Sequence, residues 1–376
     1  MSHSPPTSPP NIHSVEPPPR VQVAVIGGGL TGLSIASGLR DAGARVHLFE
    51  KCSSVASGMA TRGMGLASQL LLDPPHRLVQ ALGLSTAKEV LSFSAEGVAC
   101  WGDSLNPTGI AYASKGAAEA EEVELNLRAL DKMGFKGTPS TFEHTTDLGP
   151  GWVMPSDGSL NLGAVATQLT GKLNISTQAH AVDIEDDGLD LAVVLSSGHK
   201  TRADMVIMAG GAQITPWVQD KFHPVRHQAI ATAPVEPCIP VPMHIQYGYT
   251  TARQLDNGSV MLSGCRWATP HMEVGETDDT QINPRVDARL QGFLHQHWPG
   301  LREIPISHQW SSIMTFTCDG LPIIGPLPGR PRIIACGGFG AYSTSLSLRA
   351  AQAVVDGVTT GESPGVPTCF GTQRFS

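Results

Sequence analysis

The chain has 376 residues, a formal net charge of −8 and seven cysteines. Its length allows two domains with cores of ordinary depth. No Lys/Arg block appears, so nucleic acid and anionic membranes lack an electrostatic footprint, and a small molecule is the expected partner. The cysteines are scattered, odd in number and without a C-x-x-C spacing, which argues against a disulfide framework or a zinc site and fits a reducing cytosol. Apolar runs such as Val21 to Ile26 fall far short of the ~20 residues that span a bilayer, so a soluble, cytoplasmic protein is expected.

Residues 1–20 hold seven prolines and almost nothing apolar, and read as a disordered leader. Next comes a β-branched run, Val21 to Ile26, then glycines, then a helical apolar period through Leu33, Ile35, Ala36 and Leu39. Gly43 ends that helix and Arg45 to Phe49 forms a second strand, completing a β-α-β unit. Residues 76–145 mix turn signals with a charged, alanine-rich helix near Gly116 to Met133. A helix (Leu162 to Leu173) and a hairpin-like pair (Ile175 to Ile184, Ala192 to Leu195) lead to a buried strand in the stretch from Asp204 to Ala212. Residues 223–307 are rich in short strands, with an Asp256-Asn257-Gly258 turn, and close on a helix from Arg285 to His297. Residues 308–376 hold an acidic turn, Asp319-Gly320-Leu321-Pro322, a strand from Arg332 to Cys336, the glycine-rich run Gly337 to Gly340, and a helix from about Ser343 to Gly357. The expected organisation is interleaved: 21–75, 146–222 and 308–376 form a nucleotide-binding domain, and 76–145 and 223–307 a substrate domain.

Gly27-x-Gly29-x-x-Gly32 follows a strand and opens a helix, and Glu50 ends the next strand. Gly27 allows the tight turn, Gly29 lets the backbone approach a pyrophosphate, and Gly32 lets helix and strand pack closely. Glu50 is placed to accept from a ribose hydroxyl, and the phosphates meet unpaired N–H groups at the helix N-terminus. An acid rather than an arginine at position 50 argues against a 2′-phosphate. FAD and NAD both remain open at this point.

More distant motifs separate the two. Ala56-Ser57-Gly58 with Arg62-Gly63-Met64, then Ala203 to Ala212, Asp319 to Gly325, Gly337 to Gly340 and Arg374-Phe375 stand in the order found in one family. After residue 20 the whole chain resembles the D-amino-acid oxidase, glycine oxidase and sarcosine oxidase family of FAD enzymes. The resemblance implies an α/β Rossmann-type FAD-binding domain interleaved with an α+β substrate domain built on a mostly antiparallel sheet, which roofs the flavin ring. It implies FAD contacts from Gly27, Gly29, Leu30, Thr31, Gly32, Glu50 and Lys51 in the first unit, and from Ser57, Thr61, Arg62, Gly63 and Met64 in the loop after it. Further contacts are implied for Val182, Gly210 and Gly211, and for Gly338, Phe339, Gly340, Ala341, Tyr342 and Ser343 near the C-terminus. The branch that ties flavin covalently uses a cysteine before the acidic turn, and Ser312 stands there, so non-covalent FAD is expected.

Many amino-acid oxidases that the chain resembles carry W-x-G-x-R-P-x-T-x-D-G, whose arginine forks a substrate carboxylate. Here the run is Trp310-Ser311-Ser312-Ile313-Met314-Thr315-Phe316-Thr317-Cys318-Asp319-Gly320, with Met314 in place of the arginine. Leaving a buried carboxylate without its partner costs about 3–5 kcal/mol. Either Arg253 supplies the cation from another wall, or the substrate is an amine without a carboxylate and Met314 is an apolar contact; the second is preferred. The expected reaction is oxidation of an amine or imino acid by hydride transfer to flavin N5, with O2 as acceptor and H2O2 as product. A dehydrogenase of the same fold serving a quinone or carrier protein, and a non-catalytic flavin-binding protein, are the alternatives. Tyr249, Arg253, Met314 and Tyr342 are the candidate catalytic residues, Tyr247 a further wall, Trp310 a candidate lid, and His227 a candidate lining residue. No metal site is expected: His295 and His297, two apart on a helix, do not share a face.

Overall fold

The computed structural model describes residues 5, 7–71, 73–211 and 221–375. Its chain separates into two compact units, one holding Thr7–Thr61, Asn161–Pro224 and Met314–Ser376, the other Arg62–Leu160 and Val225–Ile313. The seams expected after residues 75 and 145 therefore lie at 61/62 and 160/161. A small sheet explains the difference, because β3 (Leu66–Ala67) pairs antiparallel with β7 (Gly158–Ser159). The Leu160 N–H also donates to the Gly65 carbonyl (2.7 Å), so both flanking stretches stay with the second unit.

The first unit is built on a mixed sheet whose main path runs β17 (Ile323–Leu327), β18 (Arg330–Gly337), β11 (Lys200–Met208), β1 (Arg20–Ile26), β2 (Val46–Phe49), β8 (Ile175–Ser176). From β18 to β8 the neighbours are parallel. Their β-branched runs are buried on both faces, as a sheet covered by helices requires. β10 (Leu191–Leu195) pairs antiparallel with β11 and with β9 (Ala181–Asp186), which makes the expected hairpin. α1 (Leu30–Asp41), α6 (Leu162–Thr170) and α8 (Ser343–Thr360) belong to this unit. α1 and α8 approach closely at Gly38, where a Cβ would stand 2.9 Å from a Val355 methyl.

Contrary to the expectation of a disordered leader, its described residues Val15 and Pro18 are tied down. The Val15 N–H donates to the Ile175 carbonyl (2.9 Å), the Ser176 hydroxyl to the Val15 carbonyl (2.7 Å) and the Thr201 hydroxyl to the Pro18 carbonyl (2.7 Å). Proline cannot donate from its backbone but its carbonyl accepts, and the segment covers the edge that β8 would otherwise leave open.

The second unit carries a mostly antiparallel sheet in the order β16, β12, β15, β14, β13, β4, β6, β5. In chain order these strands are β4 (Ile110–Ala113), β5 (Thr138–Ser140), β6 (Gly151–Met154), β12 (Phe222–Pro234), β13 (Met243–Ile245), β14 (Thr250–Gln254), β15 (Ser259–Gly264) and β16 (Ile306–Thr317). β12 and β16 run through the seams at 224/225 and 313/314. The Asp256-Asn257-Gly258 turn joins β14 to β15, with Gly258 at φ +86° and the Ser259 N–H capped by Asn257 Oδ1 (3.0 Å). α5 (Ala117–Met133) and α7 (Pro284–His297) match the expected helices. Two more, α3 (Pro75–Leu82) and α4 (Leu84–Ala99), were hidden in the stretch read as turns; the four-residue α2 (Met59–Arg62) spans the 61/62 seam.

Candidate active site

The first unit brings four separate sequence segments to one end of its sheet. Ile26 pairs with Met208 and with Phe49, and Met208 pairs with Ala335. Gly27–Gly29, Glu50, Gly210–Gly211 and Gly337–Gly340 therefore all follow the carboxyl ends of adjacent parallel strands, where open α/β sheets bind their ligands. The segments brought together are those that the sequence singles out.

Whether this end fits a dinucleotide is decided atom by atom. Gly27 has φ +105°, and a Cβ there would meet Gly210 Cα at 2.6 Å and Ala209 O at 2.7 Å, so the two glycine turns pass backbone to backbone. A Cβ on Gly32 would collide with the Gly27 carbonyl. On Gly29, by contrast, a Cβ would meet nothing within 4 Å. Gly29 is also the N-cap of α1, with φ −74° and no side-chain cap bond. A helix start with exposed donors and a bare approach is what a pyrophosphate requires. α8 likewise begins at Tyr342 without a side-chain cap bond, the second helix N-terminus at this sheet end. The residues fit FAD.

Glu50 is buried, and its carboxylate accepts from the Gly28 N–H through Oε2 (2.7 Å) and from the Cys52 N–H through Oε1 (2.8 Å). It therefore fastens the glycine turn. Each oxygen keeps a second lone pair for a hydroxyl. The loop beyond is fixed by short links: the Thr61 hydroxyl donates to the Ala56 carbonyl (2.6 Å) and the Ser57 hydroxyl to the Ser54 carbonyl (3.0 Å). Lys51 is exposed. Val182 is 42% exposed on β9, three residues after Ala179, whose N–H donates to the Glu50 carbonyl (2.8 Å). Leu30 and Thr31 are buried in the first turn of α1, and the Thr31 hydroxyl lies 3.3 Å from Ser347 Oγ on α8.

At the C-terminal return, Gly338 (φ +74°) and Gly340 (φ +54°) take left-handed backbone, and Cβ atoms there would strike Thr317 and Phe316 respectively. Phe339 bridges back to Phe316. Tyr342 is buried, Ala341 is exposed and Ser343 opens α8. The acidic turn is a clasp. Asp319 accepts from Arg374 Nε through Oδ2 (2.6 Å) and from the Leu321 N–H through Oδ1 (3.1 Å). Burial alone would raise the Asp319 carboxyl, but Arg374, the Leu321 N–H and the Thr317 hydroxyl hold it below the usual carboxylate range. Arg374-Phe375, read as a closing motif, is thereby tied to the turn, with the guanidinium 4.2 Å over the Phe375 ring.

Met314 is 3% exposed within β16. In the second unit, Arg253 is buried on β14. Its Nη1 donates to the Met64 carbonyl (2.7 Å), with the Gly65 carbonyl at 3.5 Å. Burial lowers its pKa, opposed by Asp256. The other buried arginine among the described residues, Arg226, is neutralised by Glu273 (2.6 Å). Tyr249 ends the turn 246–249 and is 42% exposed. Tyr247 sits in that turn at φ +55°, with the Arg77 guanidinium 4.7 Å over its ring. Trp310, the candidate lid, is held on β16. It is 2% exposed, packs against Ala229, Ala231, Met261 and Met64, and donates Nε1–H to the Arg62 carbonyl (2.9 Å). Arg62 itself reaches Asp279 (3.0 Å) and the Ser311 carbonyl (3.0 Å). Burial, helped by the Arg266 cation, pushes the half-buried His227 down to about 3.

Sequence reading missed Asp157, which lies fully buried in the β6–β7 turn. Its Oδ1 accepts from the Gln69 N–H (3.0 Å). Burial pushes the carboxyl up to about 7, against the pull of the Gln69, Ser68 and Tyr112 donors. An Asp-Gly pair reads as an ordinary surface turn, so no local signal marks it. Among the described residues no group of histidines, cysteines and acids is arranged to hold a metal ion, and no helix is long and apolar enough to cross a membrane.

A Rossmann-type sheet with glycine turns at three strand ends and an acid at a fourth, in a chain whose other unit carries a mostly antiparallel sheet, is the architecture of a flavoprotein oxidoreductase. The model of the FAD dependent oxidoreductase family, DAO, matches residues 22–356, and the chain belongs to that family. It is an enzyme, and its cofactor is FAD. Among curated proteins it is similar to the tRNA 5-methylaminomethyl-2-thiouridine biosynthesis bifunctional protein MnmC of Thiobacillus denitrificans, at 22% identity over 90% of this chain and 56% of that protein. The chain thus spans about half the length of the curated relatives it matches. Among solved structures it resembles glycine oxidase from Geobacillus kaustophilus, with TM-score 0.77, 19% identity, and 94% of this chain and 99% of that one covered. L-proline dehydrogenase from P. horikoshii superposes with TM-score 0.74 at 18% identity, covering 95% and 98%. These likenesses concern the fold.

Proposed function

We propose that the protein oxidises the C–N bond of a small amine or imino acid to the imine, with O2 as the electron acceptor and H2O2 as the second product. When bound, FAD would supply the two-electron oxidising chemistry. The chain holds the cofactor through the glycine turns after β1, β11 and β18, and presents the N-termini of α1 and α8 to its negative charge. Hydride transfer requires positioning and a neutral amine, so no acid–base pair is assigned.

Met314 carries the reading of the substrate. It is buried in β16 at the place where the resembling oxidases carry a carboxylate-forking arginine. Of the two buried arginines among the described residues, Arg226 is neutralised by Glu273 and Arg253 is turned onto main-chain carbonyls. An unpaired buried carboxylate costs about 3–5 kcal/mol, so an amine without an α-carboxylate is the favoured substrate. Both structural neighbours are named for amino acids, one as an oxidase and one as a dehydrogenase. A dehydrogenase passing electrons to a quinone or carrier protein is therefore the second reading.

Anaerobic mixing of the holoenzyme with paired amines tests this directly: methylamine against glycine, pyrrolidine against proline. Bleaching of the flavin band is expected to be faster, by about tenfold or more for one lost charge-assisted contact, with the amine lacking a carboxylate. Faster bleaching by glycine or proline contradicts it. Oxygen uptake in the same mixture separates oxidase from dehydrogenase.

A further inference from the structure

Within the first unit, the loop between Glu50 and α2 is packed onto the glycine turn. Its pivot, Ala56, is 2% exposed and takes left-handed backbone at φ +56°, a conformation that a residue with a Cβ keeps only where its surroundings over-determine it. They do so from both sides: the Ala56 N–H donates to the Gly28 carbonyl (2.8 Å), and the Thr61 hydroxyl donates to the Ala56 carbonyl (2.6 Å). Val55 is fully buried, and a Cβ on Gly28 would stand 2.7 Å from its Cγ1. Glu50 closes the arrangement by accepting from the Gly28 N–H (2.7 Å). Loop and turn are therefore one packed object.

The N-terminal segment grips that object as well as the sheet edge. At the edge, Ser14 Oγ accepts from the Thr177 N–H (3.0 Å), the Val15 N–H donates to the Ile175 carbonyl (2.9 Å), and the Pro19 carbonyl accepts from the Arg202 N–H (3.0 Å). Covering β8 needs no more than these. Yet the Ser54 hydroxyl donates to the Pro10 carbonyl (2.9 Å), the Thr7 hydroxyl donates to the Thr61 carbonyl, and Pro10 is buried. These bonds fall on the strained loop and not on the sheet, so an edge cover leaves them unexplained. All the partners belong to the first unit. We infer that residues 7–19 form a strap that holds the loop of residues 52–61 against the glycine turn, with Ser54 as its positioning residue, so that docking of the strap and binding of FAD favour each other. The inference rests on the reading that Gly27–Gly29 and Glu50 hold FAD.

Full-length protein, stripped of FAD and reconstituted, tests this through two readouts that linkage makes reciprocal. Ser54→Ala removes one neutral hydrogen bond and with it part of the preorganisation of the turn, and is expected to raise the FAD Kd about two- to tenfold. Ser54→Thr keeps the hydroxyl and restores a Kd close to that of the wild type. Hydrogen exchange of the Val15 amide is slowed by FAD in the wild type, and that slowing is lost in Ser54→Ala. Ser14→Ala changes an exposed side chain at the other end of the strap, leaves the loop itself intact and shifts Kd in the same direction, which keeps the test decisive should Ser54→Ala fold poorly. A plain edge cover gives a different pattern: the flavin-free Tm falls, while Kd and the FAD dependence of Val15 exchange stay as in the wild type. That pattern overturns the strap. A wild type that takes up no FAD overturns the underlying cofactor reading instead, and is seen before any variant is made.

Discussion

Two glycines in one turn carry different physical burdens, and substitution distinguishes them. Gly27 has left-handed backbone, and a Cβ there meets the main chain of residues 209 and 210 between 2.6 and 2.8 Å. Gly29 has ordinary φ and a Cβ there meets nothing within 4 Å. Gly27→Ala is accordingly expected to lower the stability of the fold by about 1–3 kcal/mol or more, read as a fall in Tm with or without added flavin. Gly29→Ala leaves the flavin-free Tm within the change of about 0.5 kcal/mol usual for a position without contacts, while weakening FAD retention. A Gly29→Ala protein that keeps FAD as the wild type does would contradict the placement of the phosphates. Both roles were legible in the sequence because a turn imposes its constraint locally. Asp157 was not: its burial depends on three strands that meet only after folding. Its folded carboxyl titrates near 7 and its unfolded reference near 3.8, so the native state holds a proton that the unfolded chain lacks across that window. Stability then falls as pH rises from about 4 to about 7 and levels above it. Asp157→Asn keeps the acceptor for the Gln69 N–H, and is expected to flatten Tm against pH over that range and to raise Tm at pH 8; an unchanged slope would refute the assignment.

At the scale of elements, the acidic turn and the C-terminus behave as one device. Asp319 binds Arg374, whose guanidinium also donates to the carbonyls of Leu321 (2.7 Å) and Gly371 (2.9 Å). Arg374→Ala is expected to cost about 1–2 kcal/mol, the modest value reflecting a partly exposed pair, read as a lower urea midpoint with unchanged slope. Because the Asp319 carboxyl is depressed, the ionic part of this loss is present above the unfolded value near 3.8 and vanishes as pH falls through the lower folded value. An urea midpoint unaffected by the substitution would mean that the clasp is ornamental. The elements that reading recovered, such as the first β-α-β unit, α5 and α7, have strong periods or β-branched runs. α4 was overlooked because its buried face is made of Ala87, Val90, Leu91, Ser94 and Val98, spaced among serines and glycine that weaken the apolar period. The leader was misread for another reason: proline-rich composition reports the lack of donors, and says nothing of a neighbouring sheet edge that needs covering.

For the molecule as a whole, two units with separate cores are each threaded from several stretches of chain. Local patterning supplied the strands, whereas the pairing that draws residues 26, 49, 208 and 335 to one sheet end became expected only through the order of motifs along the chain. The turn position of Tyr249 and the burial of Trp310 were not legible because an aromatic residue on a strand-rich stretch reads the same whether it faces a ligand, a turn or a core. The proposal that joins these findings is that this one sheet end holds FAD. Quantifying bound flavin in purified wild-type and Gly29→Ala protein tests that claim most directly. The account predicts a yellow wild type with stoichiometric FAD and a folded, flavin-depleted variant; a colourless wild type that refuses added FAD, or a variant as yellow as its parent, would contradict it.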